Sequence, residues 1–220
     1  MKTLVFEDSS KLYFTSDSHL GHSNIIRYCN RPFANIEEMD KTIIDNWNSI
    51  VKEDDTVFIL GDFCWRMGDK QILWYLDQLI GNKILILGNH DKNEKVFIKH
   101  NIPVYDGFIN IRVKDKDATE GYQRLTLCHY PMLSWYQSHR GAWQLFGHMH
   151  NATLGKLTEE QQKSLEESLG EKEAADFMKT EYKYLDKIRY DQYDVGVDGN
   201  SFIPISYFEI KEIINGKIKR

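Results

Sequence analysis

The sequence predicts an α/β fold, and two observations carry that prediction. Short apolar runs at 12–15, 56–60, 83–87, 125–128 and 143–146 have the length of buried strands, and each ends at a cluster of polar residues. Between several of them lie segments whose apolar residues recur at helical spacing, so strands alternate with helices.

The elements follow in chain order. Leu12-Tyr13-Phe14-Thr15 leads into Asp17-Ser18-His19. Region 36–51 places Met39, Ile43, Ile44, Trp47 and Val51 on one helical face. The run at 56–60 ends in Gly61-Asp62, and 70–79 repeats the helical spacing. Run 83–87 opens into Gly88-Asn89-His90-Asp91, run 125–128 into His129, and run 143–146 into Gly147-His148-Met149-His150. Segment 151–190 is rich in Glu and Lys, with a stripe at Met178, Tyr182, Leu185 and Ile188, and reads as one or two amphipathic helices inserted into the domain. A strand is expected at 193–197. Ser206 and Glu209 then form a capping box before a last helix ending near Gly216.

Bulk properties set the bounds. At 220 residues, 41% apolar and 28% charged, the chain has the composition of an ordinary globular protein and is expected to form a single domain over 1–220. A formal charge of -5 and the lack of any block of basic residues make extended nucleic acid an unexpected partner. Cys29, Cys64 and Cys128 are widely spaced without a C-x-x-C pair, which argues against a disulfide framework or a thiolate zinc site and points to the cytoplasm. No run nears the roughly 20 apolar residues of a spanning helix, so no membrane partner is expected.

The clusters carry the chemistry. In open α/β sheets ligands bind beyond the carboxyl ends of strands, where these clusters lie. An extended backbone would set Asp17 and His19 on one side, and likewise His148 and His150. Glycine at 61 allows a sharp turn before Asp62, whose two oxygens can bridge cations. Asn89 offers an amide oxygen, and His90 can hold a proton near neutral pH. A helix N-cap is the alternative role for Asn89 or Asp91, as it is for Ser23 or Asn24. His22 is placed either to hydrogen-bond a ligand or to contact substrate. Of the eight histidines, only His100 and His139 lie away from strand ends.

Taken in order, D-x-H, G-D, G-N-H-[DE], H and G-H-x-H over residues 17–150 resemble the signature of calcineurin-like metallophosphoesterases. The resemblance implies two β-sheets face to face, flanked by helices in four layers, with metals where the strand loops converge. It implies a first metal on Asp17, His19 and His150, a second on Asn89, His129 and His148, and Asp62 bridging both. His90 would be the acid facing the leaving group. Two divalent transition-metal ions roughly 3.5–4 Å apart would polarise phosphoryl oxygens and activate a water. Carboxylate, amide and imidazole donors suit Mn²⁺, Fe²⁺ or Zn²⁺. Where the phosphatase branch carries an aspartate that orients this histidine, the chain has Trp65; Arg66 matches that branch's phosphate-binding arginine.

The expected substrate is a small phosphomonoester or phosphodiester, such as a nucleotide or cyclic nucleotide, with segment 151–190 forming a partial cap. A nuclease acting on nucleic-acid ends would need a basic channel, which the sequence does not show. A non-catalytic module of the same fold has no need of every ligand, and here all are kept.

Overall fold

The computed structural model describes residues 3–150 and 188–218, with Lys163 and Glu167 between them. Its strands are β1 (Leu4–Phe6), β2 (Leu12–Thr15), β3 (Thr56–Ile59), β4 (Asn82–Ile86), β5 (Val104–Tyr105), β6 (Phe108–Lys114), β7 (Tyr122–Cys128), β8 (Trp143–Phe146), β9 (Gln192–Asp194) and β10 (Ile205–Ser206). The described helices are α1 (Ser23–Tyr28), α2 (Ile36–Ile50), α3 (Asp69–Gln78), α4 (Glu94–Lys99) and α5 (Tyr207–Ile218).

The strands form two mixed sheets. One has the order β10-β2-β3-β4-β5, parallel except for β10; the other has the order β1-β6-β7-β8-β9, with β6 and β7 antiparallel. The sheets pack face to face. Leu12, Phe14, Phe58, Leu60, Ile84 and Ile86 of the first meet Ile109, Ile111, Leu125, Leu127 and Leu145 of the second. The intervening residues Val57, Ile59 and Leu85 point the other way, onto Met39, Ile43 and Trp47 of α2, Ile72 of α3 and Phe97 of α4. Both faces of β2, β3 and β4 are thus buried, which is why they read as continuous apolar runs.

The outer face of the second sheet is different. Asn110, Thr126, Gln144 and Gln192 are buried there although polar. Gln144 accepts from the Met132 amide at 3.0 Å and donates to the Tyr130 carbonyl at 2.9 Å, so segment 130–142 lies over this face. Thr126 donates to the Asn110 amide oxygen at 2.7 Å. Most of the polar groups are satisfied within that layer.

The expected capping box is present: Ser206 Oγ accepts from the Glu209 amide at 3.2 Å, and Glu209 Oε2 accepts from the Ser206 amide at 2.9 Å. It starts α5, which buries Tyr207, Ile210 and Ile214 in the core between the sheets. Asp115 ties this helix down, accepting from Tyr207 Oη at 2.5 Å and from Lys211 Nζ at 2.7 Å. Burial opposes ionisation of Asp115, but the Lys211 and Tyr207 hydrogen bonds outweigh it and hold its pKa below the ordinary 3.8. A depressed carboxyl pKa stabilises the fold above the unfolded value and ceases to do so as pH falls through the folded one. Asp115→Asn is therefore expected to lower unfolding free energy by about 1.5–3 kcal/mol at pH 7. Urea titrations should show that deficit shrinking below pH 3.8; a deficit independent of pH would contradict the charge-assisted pairing.

Segment 151–190 falls almost entirely outside the described residues, as do Met178, Tyr182 and Leu185 of its predicted stripe. The strand expected at 193–197 is shorter and begins one residue earlier, as β9. No helix among the described residues is long and apolar enough to cross a membrane.

Candidate metal centre

The clusters that follow β2, β3, β4, β7 and β8 come together at one end of the two sheets. They are not aimed by extended backbone. Asp17, His19, Asp62, His148 and His150 all have left-handed φ values, from 46° to 71°. Such conformations cost about 1–3 kcal/mol each in residues other than glycine, and persist only where the surroundings fix them. Here adjacent loops do so: the Asp17 amide donates to Gly61 O, His19 to Asp62 O and Leu20 to Phe63 O, each at 3.0 Å. The expectation from strand pleating is corrected on this point, because the strands end before the ligands begin.

Glycines permit the close approach. Gly61, at φ 94°, lies so near His129 that a Cβ would stand 2.5 Å from its Nδ1. A Cβ on Gly147 would stand 2.4 Å from Asp17 Oδ2. The glycines of G-D and G-H-x-H are therefore spacers between ligand loops as well as turn formers.

Asp62 Oδ2 sits among imidazoles, 3.5 Å from His19 Nε2, 3.6 Å from His129 Nε2 and 3.9 Å from His90 Nε2. Asp17 Oδ1 lies 4.0 Å from His150 Nε2. Asn89 Oδ1 is 2.9 Å from His129 Nε2 and 3.1 Å from His148 Nδ1. The sequence-predicted ligands Asp17, His19, Asp62, Asn89, His129, His148 and His150 thus share one locus.

The residues fit a cation. Asp17 Oδ1 and both ring nitrogens of His19 are buried without a hydrogen-bond partner; a cation would satisfy the carboxylate oxygen and the unprotonated ring nitrogen, which are otherwise expensive to bury. His129 Nδ1 must donate to the Leu60 carbonyl, 2.7 Å away, so in the neutral ring Nε2 is a lone pair facing the Asn89 carbonyl oxygen. Two acceptors facing each other leave a place for a cation. Asp17, His19 and His150, and again Asp17, Asp62 and His129, bring ligand atoms within 4.8 Å of one another.

Sequence reasoning missed the supports. Arg31, fully buried, donates Nε and Nη2 to the two oxygens of Asp198 at 2.8 and 2.9 Å, and its Nη2 and Nη1 reach the Asp17 and Ser18 carbonyls at 2.7 and 3.0 Å. Asp198 Oδ2 in turn lies 2.8 Å from His150 Nδ1, leaving Nε2 toward Asp17. Burial opposes ionisation of Asp198, but the Arg31 charge and the His150 hydrogen bond hold its carboxyl well below the usual range. Cys29 adjoins His150 and Asp198, whereas Cys64 and Cys128 are buried thiols raised by desolvation.

Neither Asn89 nor Asp91 caps a helix, since Asn93 precedes α4. Asp91 instead accepts from the amides of Asp62 at 2.6 Å, Gly88 at 2.9 Å and Phe63 at 3.1 Å, clamping two ligand loops. Ser23 and Asn24 lie inside α1, with His22 at the cap position. His22 is buried and stacked on Trp65, ring centroids 4.0 Å apart, which gives it a packing role toward the site. Trp65 also packs against His90, ring centroids 4.5 Å apart. His90 remains partly exposed and lines a cleft of about 460 Å³ together with Trp65, Arg66 and Lys92.

Comparison with known proteins agrees with this geometry. The chain is 38% identical over 141 residues to an uncharacterised protein of Methanocaldococcus jannaschii, covering 64% of this chain and 69% of that one. It is 43% identical over 84 residues to the gene 66 protein of Mycobacterium phage L5, a match that spans 37% of this chain and only 40% of the phage protein. A solved Aquifex aeolicus protein of unknown function, AQ665, superposes with a TM-score of 0.59 at 26% identity, covering 92% of this chain and 98% of that one. Residues 10–152, which carry every predicted ligand, match the calcineurin-like phosphoesterases, and the chain belongs to that family of metal-dependent phosphoesterases.

Proposed function

We propose that this chain is a dinuclear metal-dependent hydrolase of small phosphomonoesters or phosphodiesters. The observation that carries the reading is the convergence of buried lone pairs lacking a partner at Asp17 and His19 with the facing acceptors of His129 and Asn89. Asp17, His19 and His150 would hold one ion and Asn89, His129 and His148 the other, with Asp62 between them. Divalent ions bound there supply Lewis acidity toward phosphoryl oxygens and lower the pKa of water.

The chain's own groups complete the chemistry. His90 is held by its amide, which donates to Asp62 Oδ1 at 2.9 Å, and by ring packing against Trp65. It lines the cleft, where it can pass a proton to the departing oxygen. Arg66 lines the same cleft and offers a guanidinium to the substrate. The donor set of carboxylates, imidazoles and an amide oxygen favours Mn²⁺, Fe²⁺ or Zn²⁺.

The test is metal removal. Purified protein is expected to carry up to two transition-metal equivalents, to lose phosphoesterase activity on chelation, and to regain it with Mn²⁺ among the restoring ions. Full activity in rigorously metal-free protein would overturn the reading.

A further inference from the structure

The cleft beside His90 carries charge that hydrolysis of a simple ester does not require. Arg66 and Lys92 both line it, and neither has an ion-pair partner among the described residues. Arg66 holds a left-handed backbone, φ 46°, and its guanidinium carbon stands 5.0 Å over the Trp65 ring. Asp91, the only acidic residue of the lining among the described residues, spends its carboxylate on the amides of Asp62, Phe63 and Gly88. Asn93 Nδ2 donates to the Met67 carbonyl at 2.7 Å, fastening the loop that carries Arg66 to the loop that carries Lys92. The two cations thus come from loops joined to each other, and the apolar part of the cleft lining includes Trp65, Met67 and Phe97. A cleft of about 460 Å³ has the size of a small-molecule site.

We propose that the leaving group carries a phosphate of its own, seated between Arg66 and Lys92, so that the preferred substrates are small bisphosphorylated esters. This rests on the phosphoesterase reading above. Hydrolysis breaks the bond between phosphorus and the leaving oxygen; water supplies hydroxyl to phosphorus and, through His90, a proton to that oxygen. The donor of this proton stands on the leaving-group side, so whatever lies beyond the leaving oxygen enters the cleft that His90 borders. A neutral alcohol there would leave two cations without partners, whereas a phosphate dianion accepts from both.

The test compares adenosine 3′-monophosphate with adenosine 3′,5′-bisphosphate, using metal-loaded protein, and follows release of the 3′ phosphate. The ratio of kcat/KM values is expected to favour the bisphosphate by about tenfold or more, since one charge-assisted contact of about 1.5–3 kcal/mol corresponds to that factor. Lys92→Gln should bring the ratio down toward one, whereas Lys95→Gln, on α4 outside the cleft, should leave it unchanged. Calorimetry supplies a readout independent of turnover. Adenosine 5′-monophosphate should bind Lys92→Gln about tenfold more weakly than wild type, with adenosine, which carries no phosphate, binding both equally. A wild-type ratio near one, or equal binding of adenosine 5′-monophosphate by both proteins, would overturn the proposal. Failure to hydrolyse any phosphoester would sink the phosphoesterase reading instead, and the binding comparison would still decide whether the cleft takes a phosphate.

Discussion

Asp62→Asn is expected to empty much of the metal centre and to cut kcat/KM by well over the roughly 100-fold that loss of an outer hydrogen-bond partner costs. The geometry explains the size of the effect. Asp62 Oδ1 is committed to the His90 amide at 2.9 Å, so an asparagine keeps its oxygen there and turns its NH₂ toward His19 and His129, which lie 3.5 and 3.6 Å from the present Oδ2. A donor then replaces the anion proposed to bridge the two ions. His90→Asn makes the informative contrast, because it removes the ring and leaves Asp62 and every proposed ligand in place. Metal content should stay near the wild-type value. Turnover of alkyl esters, whose leaving oxygen needs a proton, should fall by about 10²–10⁴-fold, and p-nitrophenyl esters should lose much less. Metal analysis beside kinetics on the two ester classes separates ligand from acid: an emptied site in His90→Asn, or equal losses on both classes, would refute the acid role.

How much of this was legible in the sequence follows from burial and length. The strands carrying the ligands were readable because each contributes apolar residues to the core, and β2, β3 and β4 do so on both faces. Strands β1, β5 and β10 have only two or three residues, and α1 and α4 have six each, too few for a period to register. In β6, Asn110 and Arg112 interrupt the apolar pattern on the face that looks away from the core, so the strand alternates instead of reading as a run. The candidate ligands were legible because cation chemistry restricts residue type. How they are aimed was not, since left-handed Asp and His residues are imposed by contacts between loops that are distant in sequence. Arg31 and Asp198 left no local trace at all: their partnership spans 167 positions, and neither belongs to a spacing motif.

That partnership predicts the largest effect on stability. Arg31→Met keeps approximate length and removes the charge, leaving Asp198 buried without its bidentate partner and the carbonyls of Asp17 and Ser18 without donors. Breaking a buried pair in this way costs about 3–5 kcal/mol, more than the pair itself contributes, because the remaining charge is desolvated and uncompensated. Chemical denaturation should register that loss. Arg31 holds the Asp198 carboxylate that in turn meets His150 Nδ1, so loss of that anchor should also lower metal affinity, by up to about 10–100-fold, the range for disturbed outer partners of a ligating histidine. The double variant Arg31→Met with Asp198→Asn separates the two consequences. With the stranded charge gone, part of the lost stability should return, whereas metal affinity should not, since His150 then faces an amide that no longer favours its present tautomer and orientation. An Arg31→Met protein with wild-type stability, or a double variant that recovers metal binding along with stability, would mean that His150 is positioned by something other than this buried pair.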